Sequence, residues 1–318
     1  MWPLGPGVAP TSPLAHMALF GYQPDEFPGR GLIESLGEGH VPDPGEVVCR
    51  VNFCRCDLRD GALWIASRPD PRVGDAINDD VVLDGVFEDV RCRFIHTGAS
   101  QGLLFLSPLH AGPLSGEVTD ADPLREGEFA RSVVPWSDAR DPEAAARTAR
   151  ALDSWMRESR RRLAGRELDT ALVKWASVTA RLADFTTRTG QRGATVARGA
   201  LYRGLAQAIG LATPALPADT DPVTTLREDL TQALTMLQEG VHDFVHVHTK
   251  APDEAGHRKS PEKKRAVIEA LDAALGEHLE RLRSGNLIVC VTADHQTPSS
   301  GSLYHAGGAV PVLICGGS

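Results

Sequence analysis

Val245-His246-Val247-His248-Thr249-Lys250-Ala251-Pro252-Asp253-Glu254-Ala255-Gly256-His257 is the stretch on which the reading of this chain turns. Its first four residues alternate apolar and imidazole side chains, the period of a β-strand. The run breaks at Pro252 and then presents Asp253 and His257, four residues apart. That spacing lets both side chains reach one ion whether the segment is helical or a turn. Two further clusters follow. Asn286–Ala293 is an apolar run that ends in Asp294-His295-Gln296-Thr297-Pro298, and His305 stands just ahead of the apolar run Ala309–Cys315. An isolated Asp-x-x-x-His pair fits a surface turn equally well, and Asp294-His295 alone fits a helix cap. Three carboxylate and imidazole groups at the ends of successive strands point instead to a metal site on the carboxyl edge of an α/β sheet.

Working outward, strand–helix alternation from residue 194 onward argues for parallel βαβ units. Ala194–Ala197 reads as a strand. Asp221-Pro222 opens a helix ending at Gly240, with Leu226, Leu230, Leu234 and Leu237 on its buried side. Ser260-Pro261-Glu262 caps the next, whose stripe is Val267, Ile268, Leu271, Leu275, Leu279 and Leu282. Upstream, Asp141-Pro142-Glu143 starts a helix towards Leu163, and its Arg160-Arg161-Arg162 run reads as a solvated face. Glu46–Arg55, Ala62–Ala66, Arg91–Thr97 and Gly102–Ser107 read as strands of a small mixed domain. Near the start, Ala15–Tyr22 fits a short helix that Gly21 ends. Ser12 lies just ahead of it, where free backbone N–H groups receive anions.

Composition bounds the function. The chain has 318 residues, 42% of them hydrophobic, enough for two domains. A net charge of −9 and the lack of a basic run interleaved with aromatics speak against a nucleic-acid partner. No apolar run approaches the ~20 residues of a membrane helix, and the first residues lack the basic and apolar parts of a signal peptide. The expectation is a cytoplasmic protein. Its six cysteines, at 49, 54, 56, 92, 290 and 315, read as buried free thiols.

Several ordered motifs together resemble the archaeal-type, cofactor-independent phosphoglycerate mutases of the alkaline phosphatase superfamily. They are Thr11-Ser12-Pro13-Leu14-Ala15-His16, Leu19-Phe20-Gly21-Tyr22, Gly29-Arg30-Gly31-Leu32-Ile33-Glu34 and Arg50-Val51-Asn52-Phe53. Leu114-Ser115, Thr119-Asp120-Ala121-Asp122-Pro123, Asp243-Phe244-Val245-His246 and the metal-type clusters above complete the set. The resemblance implies an α/β fold with a parallel-sheet core, helices on both faces and a smaller inserted α+β domain. The core would comprise residues 1–44 and 140–318, and the insert residues 45–139.

It also implies two divalent ions, manganese or zinc. Asp253, His257 and His305 match the ligands of one; Asp294, His295 and Ser12 match those of the other. Ser12 would be the nucleophile that carries the phosphoryl group between the hydroxyls of a small phosphorylated substrate, 3-phosphoglycerate or 2-phosphoglycerate. Asn52, Arg68, Arg72, Arg188 and Lys250 are the implied substrate contacts.

The departures from the family pattern carry expectations too. The family has a strand ending in a metal-binding Asp ahead of the serine, and it continues for a few dozen residues past the equivalent of Ser318. Neither segment is in the sequence, which implies a cut or misassigned start and end, or a second ion without that carboxylate. Ser100-Gln101 replaces a His-Arg pair, and Leu172-Val173-Lys174-Trp175-Ala176-Ser177 replaces an Asn followed by Arg-Gly-x-Gly. Gln does not supply the bidentate cation that Arg does. Two alternatives therefore stay open at the sequence level: a phosphatase or mutase for another phosphorylated or phosphonate metabolite, and a non-catalytic relative with an incomplete metal site.

Overall fold

In the computed structural model the described residues are 11–69, 83–98, 100–110, 112–178, 182–217, 220–283 and 287–316. In chain order the elements are α1 (Ser12–Leu19), α2 (Arg30–Gly37), β1 (Val47–Arg59), β2 (Ala62–Ser67), β3 (Gly85–Phe87), β4 (Val90–Gly98) and β5 (Gln101–Pro108). Then come α3 (Pro142–Leu163), β6 (Thr170–Val178), α4 (Phe185–Thr189), β7 (Gly193–Val196), α5 (Ala200–Ala208) and α6 (Pro222–Gln238). The last are β8 (Phe244–Val247), α7 (Ala251–His257), α8 (Pro261–Glu277), α9 (Leu279–Arg283), β9 (Ile288–Thr292) and β10 (Val312–Gly316). Contacts divide the chain into two units: Met1–Phe27 with Leu182–Ser318, and Pro28–Arg181.

The 28–181 unit is an antiparallel six-stranded sheet ordered β2-β1-β5-β4-β3, with β6 also paired to β1. β1 is buried along its first eight residues because both its faces are covered. Val47, Cys49, Val51 and Phe53 join a core with Leu152 and Trp155 of α3, whereas Val48 joins Leu32 of α2, Leu103 and Phe105. Helix α3 follows from its sequence: Asp141 caps it by accepting from Ala144 N at 2.9 Å, with Pro142 in the first turn. Trp155, fully buried, donates its indole N–H to Leu83 O at 2.9 Å. Helix α2 approaches the sheet so closely that a Cβ on Gly31 would lie 2.3 Å from Trp175 O and 2.5 Å from Val48 O. Only glycine fits there.

This unit is wider than the expected 45–139 insert. The boundary moves because α2, α3 and β6 all pack on the same sheet, and β6 pairs with β1 from Val47↔Val178 to Cys54↔Thr170.

In the other unit β7 and β8 pair in parallel, Gly193↔Phe244 to Val196↔Val247, as the alternation predicts. α6 packs against them through Ala233 and Met236. Its cap, Asp221, accepts from Val223 N and Thr224 N at 3.0 and 3.1 Å. β9 and β10 pair with each other, and antiparallel, not as further parallel strands. The chain between them has no helix among the described residues, so it returns as a long hairpin, whereas parallel strands need a crossover. Of the cysteines, Cys49, Cys54, Cys56 and Cys92 are buried as expected. Cys290 and Cys315 are exposed, because they lie on that thin two-stranded ribbon. Among the described residues no helix is long and apolar enough to cross a membrane.

Candidate metal centre

The opening stretch forms a strand and then a helix. β8 ends at Val247, and Pro252 falls in the first turn of α7, where its missing N–H costs nothing. Asp253 and His257 therefore stand one turn apart on α7, His257 Nε2 3.2 Å from Asp253 Oδ1. Gly256 lets α7 sit against the 294–298 segment: a Cβ there would meet Thr297 Cγ2 at 2.8 Å and Thr297 O at 2.9 Å.

The loop after β9 brings the other groups. His305 Nε2 lies 3.5 Å from Asp253 Oδ1, and its ring stacks on that of His295 with centroids 3.8 Å apart. Ligand atoms of Asp253, His295 and His305 all lie within 4.8 Å of one another. His295 also faces the second set. Its Nε2 is 2.9 Å from Ser12 Oγ and 3.3 Å from Asp294 Oδ2. It therefore stands between the two ligand sets the sequence suggests. Ser12 opens α1, with Thr11 as the preceding cap residue and Pro13 in the first turn.

Two lysines hold this loop to the helices. Lys259 Nζ donates to Pro298 O at 2.9 Å and to Leu303 O at 2.5 Å, and Lys264 Nζ donates to Thr297 O at 2.7 Å. Sequence reading missed both, because a lysine that donates to backbone carbonyls leaves no spacing signature.

His295 and His257 are biased towards the neutral form that binds metals. Burial lowers the pKa of His295 against the pull of Asp294, and it lowers that of His257 against Asp253. His16, 3% exposed, donates from Nδ1 to Ser12 O at 2.8 Å, with Asp294 Oδ2 3.7 Å away. Burial lowers its pKa too, although Asp294 opposes the shift. His246 and His248 pack edge-on against His16, and His248 lies on Tyr202 with ring centroids 3.7 Å apart. Burial, with His16 nearby, takes them down to about 3 and about 2. They are the neutral, packed side chains of the strand that aims α7.

The expected substrate contacts fare differently. Arg188 donates to Gly21 O at 2.7 Å and to the Glu26 carboxylate, and it lies over the Tyr22 ring. It is thus engaged in holding the α1 segment. Lys250 is exposed just ahead of α7. Arg72 falls outside the described residues.

In the 28–181 unit, Asn52 Nδ2 donates to Asp122 Oδ2 at 2.7 Å, and Arg68 makes a two-pronged contact with both oxygens of the same carboxylate. Asn52 Oδ1 and Arg68 Nε are buried with no hydrogen-bond partner. Arg50 reaches Glu34 at 3.2 Å and donates to Gln101 Oε1. Lys174 and Arg30 lie over the Trp175 ring at 3.8 and 3.6 Å.

A family model described as the metalloenzyme superfamily matches residues 1–318. The 2,3-bisphosphoglycerate-independent phosphoglycerate mutase of Methanopyrus kandleri is 35% identical over 336 residues, covering 98% of this chain and 76% of that protein. Phosphoglycerate mutase 2 of the same name from Methanocaldococcus jannaschii is 30% identical over 338 residues, covering 98% and 73%. Among solved structures, a protein from Pyrococcus horikoshii superposes with a TM-score of 0.72 at 24% identity, covering 99% of this chain and 76% of that one. The cofactor-independent phosphoglycerate mutase of Thermoplasma acidophilum does so with a TM-score of 0.58 at 25% identity, covering 99% and 78%. These likenesses bear out the α/β, alkaline-phosphatase-like architecture. The chain belongs to the metalloenzyme superfamily and, within it, to the family of 2,3-bisphosphoglycerate-independent phosphoglycerate mutases.

Proposed function

We propose that the chain interconverts 3-phosphoglycerate and 2-phosphoglycerate by divalent-metal-dependent phosphoryl transfer through a phosphoserine at Ser12. One observation carries this reading: the Ser12 hydroxyl lies 2.9 Å from His295 Nε2, and that imidazole belongs to the cluster formed with Asp253 and His305. The donor set fits manganese through its two carboxylates or zinc through its three imidazoles, the latter biased to neutrality where burial lowers them. His257 Nδ1 is buried without a partner. We assign Asp253, His257 and His305 to one ion, and Asp294, His295 and Ser12 to the other. When bound, the ions would lower the pKa of the Ser12 hydroxyl and offset the charge of the transferred group.

The chain's own residues supply the rest. His16, through its bond to Ser12 O, fixes the first turn of α1 and with it the Ser12 side chain. Ser12 Oγ loses its proton and bonds to phosphorus while the phosphorus–oxygen bond to glycerate breaks. The released glycerate oxygen takes up a proton. The other glycerate hydroxyl then gives up its proton and attacks the phosphoserine, freeing Ser12, so the net change is an isomerisation that consumes no water. Asn52 and Arg68 remain our choices for substrate contacts, since each keeps a buried polar atom unpaired. A cytoplasmic glycolytic setting follows from this substrate.

Phosphorus-31 NMR of 3-phosphoglycerate with the manganese- or zinc-loaded protein tests the proposal. The expected result is 2-phosphoglycerate with no net inorganic phosphate. A phosphoenzyme trapped by acid quench should vanish in Ser12→Ala. Steady release of inorganic phosphate without isomerisation, or a phosphoenzyme that survives in that variant, overturns the reading.

A further inference from the structure

Thr297 bears on both ligand sets, and no residue assigned so far explains why it is where it is. It is 5% exposed, and its hydroxyl lies 2.6 Å from Asp253 Oδ1 and 3.3 Å from His295 Nδ1. A threonine hydroxyl has one proton and two lone pairs. A carboxylate oxygen can only accept, and 2.6 Å is the length of a charge-assisted O–H···O bond. The Thr297 proton therefore goes to Asp253. The hydroxyl oxygen is left as an acceptor towards His295 Nδ1, which must carry the hydrogen. The opposite tautomer would point the Thr297 proton at Nδ1 and place two bare acceptors, Oγ1 and Asp253 Oδ1, 2.6 Å apart.

The consequence falls on the other ring nitrogen. With the proton on Nδ1, Nε2 presents its lone pair to Ser12 Oγ at 2.9 Å and towards Asp294 Oδ2 at 3.3 Å. A lone pair facing a carboxylate oxygen at that distance is unfavourable unless a cation lies beside both. Thr297 is itself fixed from behind: its carbonyl accepts from Lys264 Nζ at 2.7 Å, and Gly256 of α7 packs on its methyl group.

We infer that Thr297 is a positioning residue that couples the two ligand sets, holding His295 in the tautomer whose Nε2 faces Ser12 while orienting the Asp253 carboxylate. This rests on the proposed role of Asp253 and His295 as ligands. Partners that fix the tautomer and orientation of a ligating imidazole typically change metal affinity about 10–100-fold when removed.

The test uses the full-length protein in metal-stripped and metal-loaded forms. In the stripped wild type, long-range proton–nitrogen NMR of the His295 ring, assigned through His295→Gln, should report a hydrogen on Nδ1. Finding it on Nε2 overturns the inference with no variant needed. Thr297→Val keeps the shape and removes the hydroxyl; it should shift His295 towards the other tautomer and weaken manganese or zinc binding in calorimetry by about 10–100-fold. Thr297→Ser should restore both. A valine variant with the wild-type tautomer and wild-type affinity refutes the coupling. If the wild type binds no divalent ion, the proposed function fails, and the stripped-state tautomer still decides the role of Thr297.

Discussion

Replacing Lys174 by methionine should make the protein more stable. Lys174 lies on β6 opposite Arg50 of β1 and is only 6% exposed. Its ammonium group sits over the Trp175 ring, with no hydrogen bond or ion pair among the described residues. Burial lowers its pKa from 10.5 to about 8. Asp122 and Glu34 resist that shift, whereas Arg30 and Arg50 add to it. The unfolded chain therefore holds this proton more tightly than the folded one. The sign follows: stability rises with pH between about 8 and 10.5, the cost is fully present below 8, and it is gone above 10.5. At 1.36 kcal/mol per pKa unit the cost at pH 7 is about 3 kcal/mol. Methionine fills a similar volume and strands no partner, because Asp122 keeps Asn52 and Arg68, and Glu34 keeps Arg30 and Arg50. Urea unfolding followed by tryptophan fluorescence should show Lys174→Met about 3 kcal/mol more stable at pH 7, with the gap below ~1 kcal/mol at pH 10. A methionine variant that is no more stable at pH 7, or a gap that persists at pH 10, refutes the reasoning. Combined stabilisation and lost turnover would mark Lys174 as a cation kept for an anionic ligand.

Four further changes probe other parts of the structure. Asp253→Asn should weaken manganese or zinc binding at least ~10-fold, since it removes the charge on which His257 and His305 converge; unchanged metal content in calorimetry would count against that assignment. Gly256→Ala forces a Cβ into Thr297 and should cost about 1–3 kcal/mol in urea unfolding, with weaker metal binding in the same variant. Trp155→Ala empties the α3 side of the sheet and should cost about 3–5 kcal/mol, read from the shift in the urea midpoint. Asp141→Ala removes the α3 cap and should cost about 1 kcal/mol; a change within error would mean that Pro142 alone sets the helix start.

Local patterns made much of the secondary structure readable in advance. The caps at Asp141, Asp221 and Ser260, each followed by proline, set α3, α6 and α8 at the expected starts. The alternating run ahead of Pro252 became β8. What escaped was structure whose reason is tertiary. β6 carries a lysine and a tryptophan where a strand pattern wants alternation, and Trp175 adopts a φ of +56°, held there by a bond from its N–H to Asp120 Oδ1 at 2.6 Å. α2 is eight residues that start at Arg30 after a glycine cap, Gly29, and it exists because Leu32 and Ile33 are buried and Gly31 permits close approach. With α3, those two elements pack on the sheet of the 28–181 unit, which is why that unit spans more than residues 45–139.

The same distinction divides the site. Asp253, His257, Asp294, His295 and His305 could be named from the sequence as candidate ligands, because carboxylate and imidazole groups in such numbers close to strand ends have few other uses. Their partition was not legible, since it depends on which way one ring faces. His295 touches both groups, and only the 2.6 Å bond from Thr297 to Asp253 fixes which of its nitrogens is free. A sequence motif supplies residue types and spacing, whereas a tautomer is set by a hydroxyl two residues away along the chain and a carboxylate 44 positions upstream of that hydroxyl. The ligands could therefore change partners without any ligand changing identity. It follows that Thr297, not another aspartate or histidine, is where variation in this chain would alter the chemistry while leaving every metal-type residue in place.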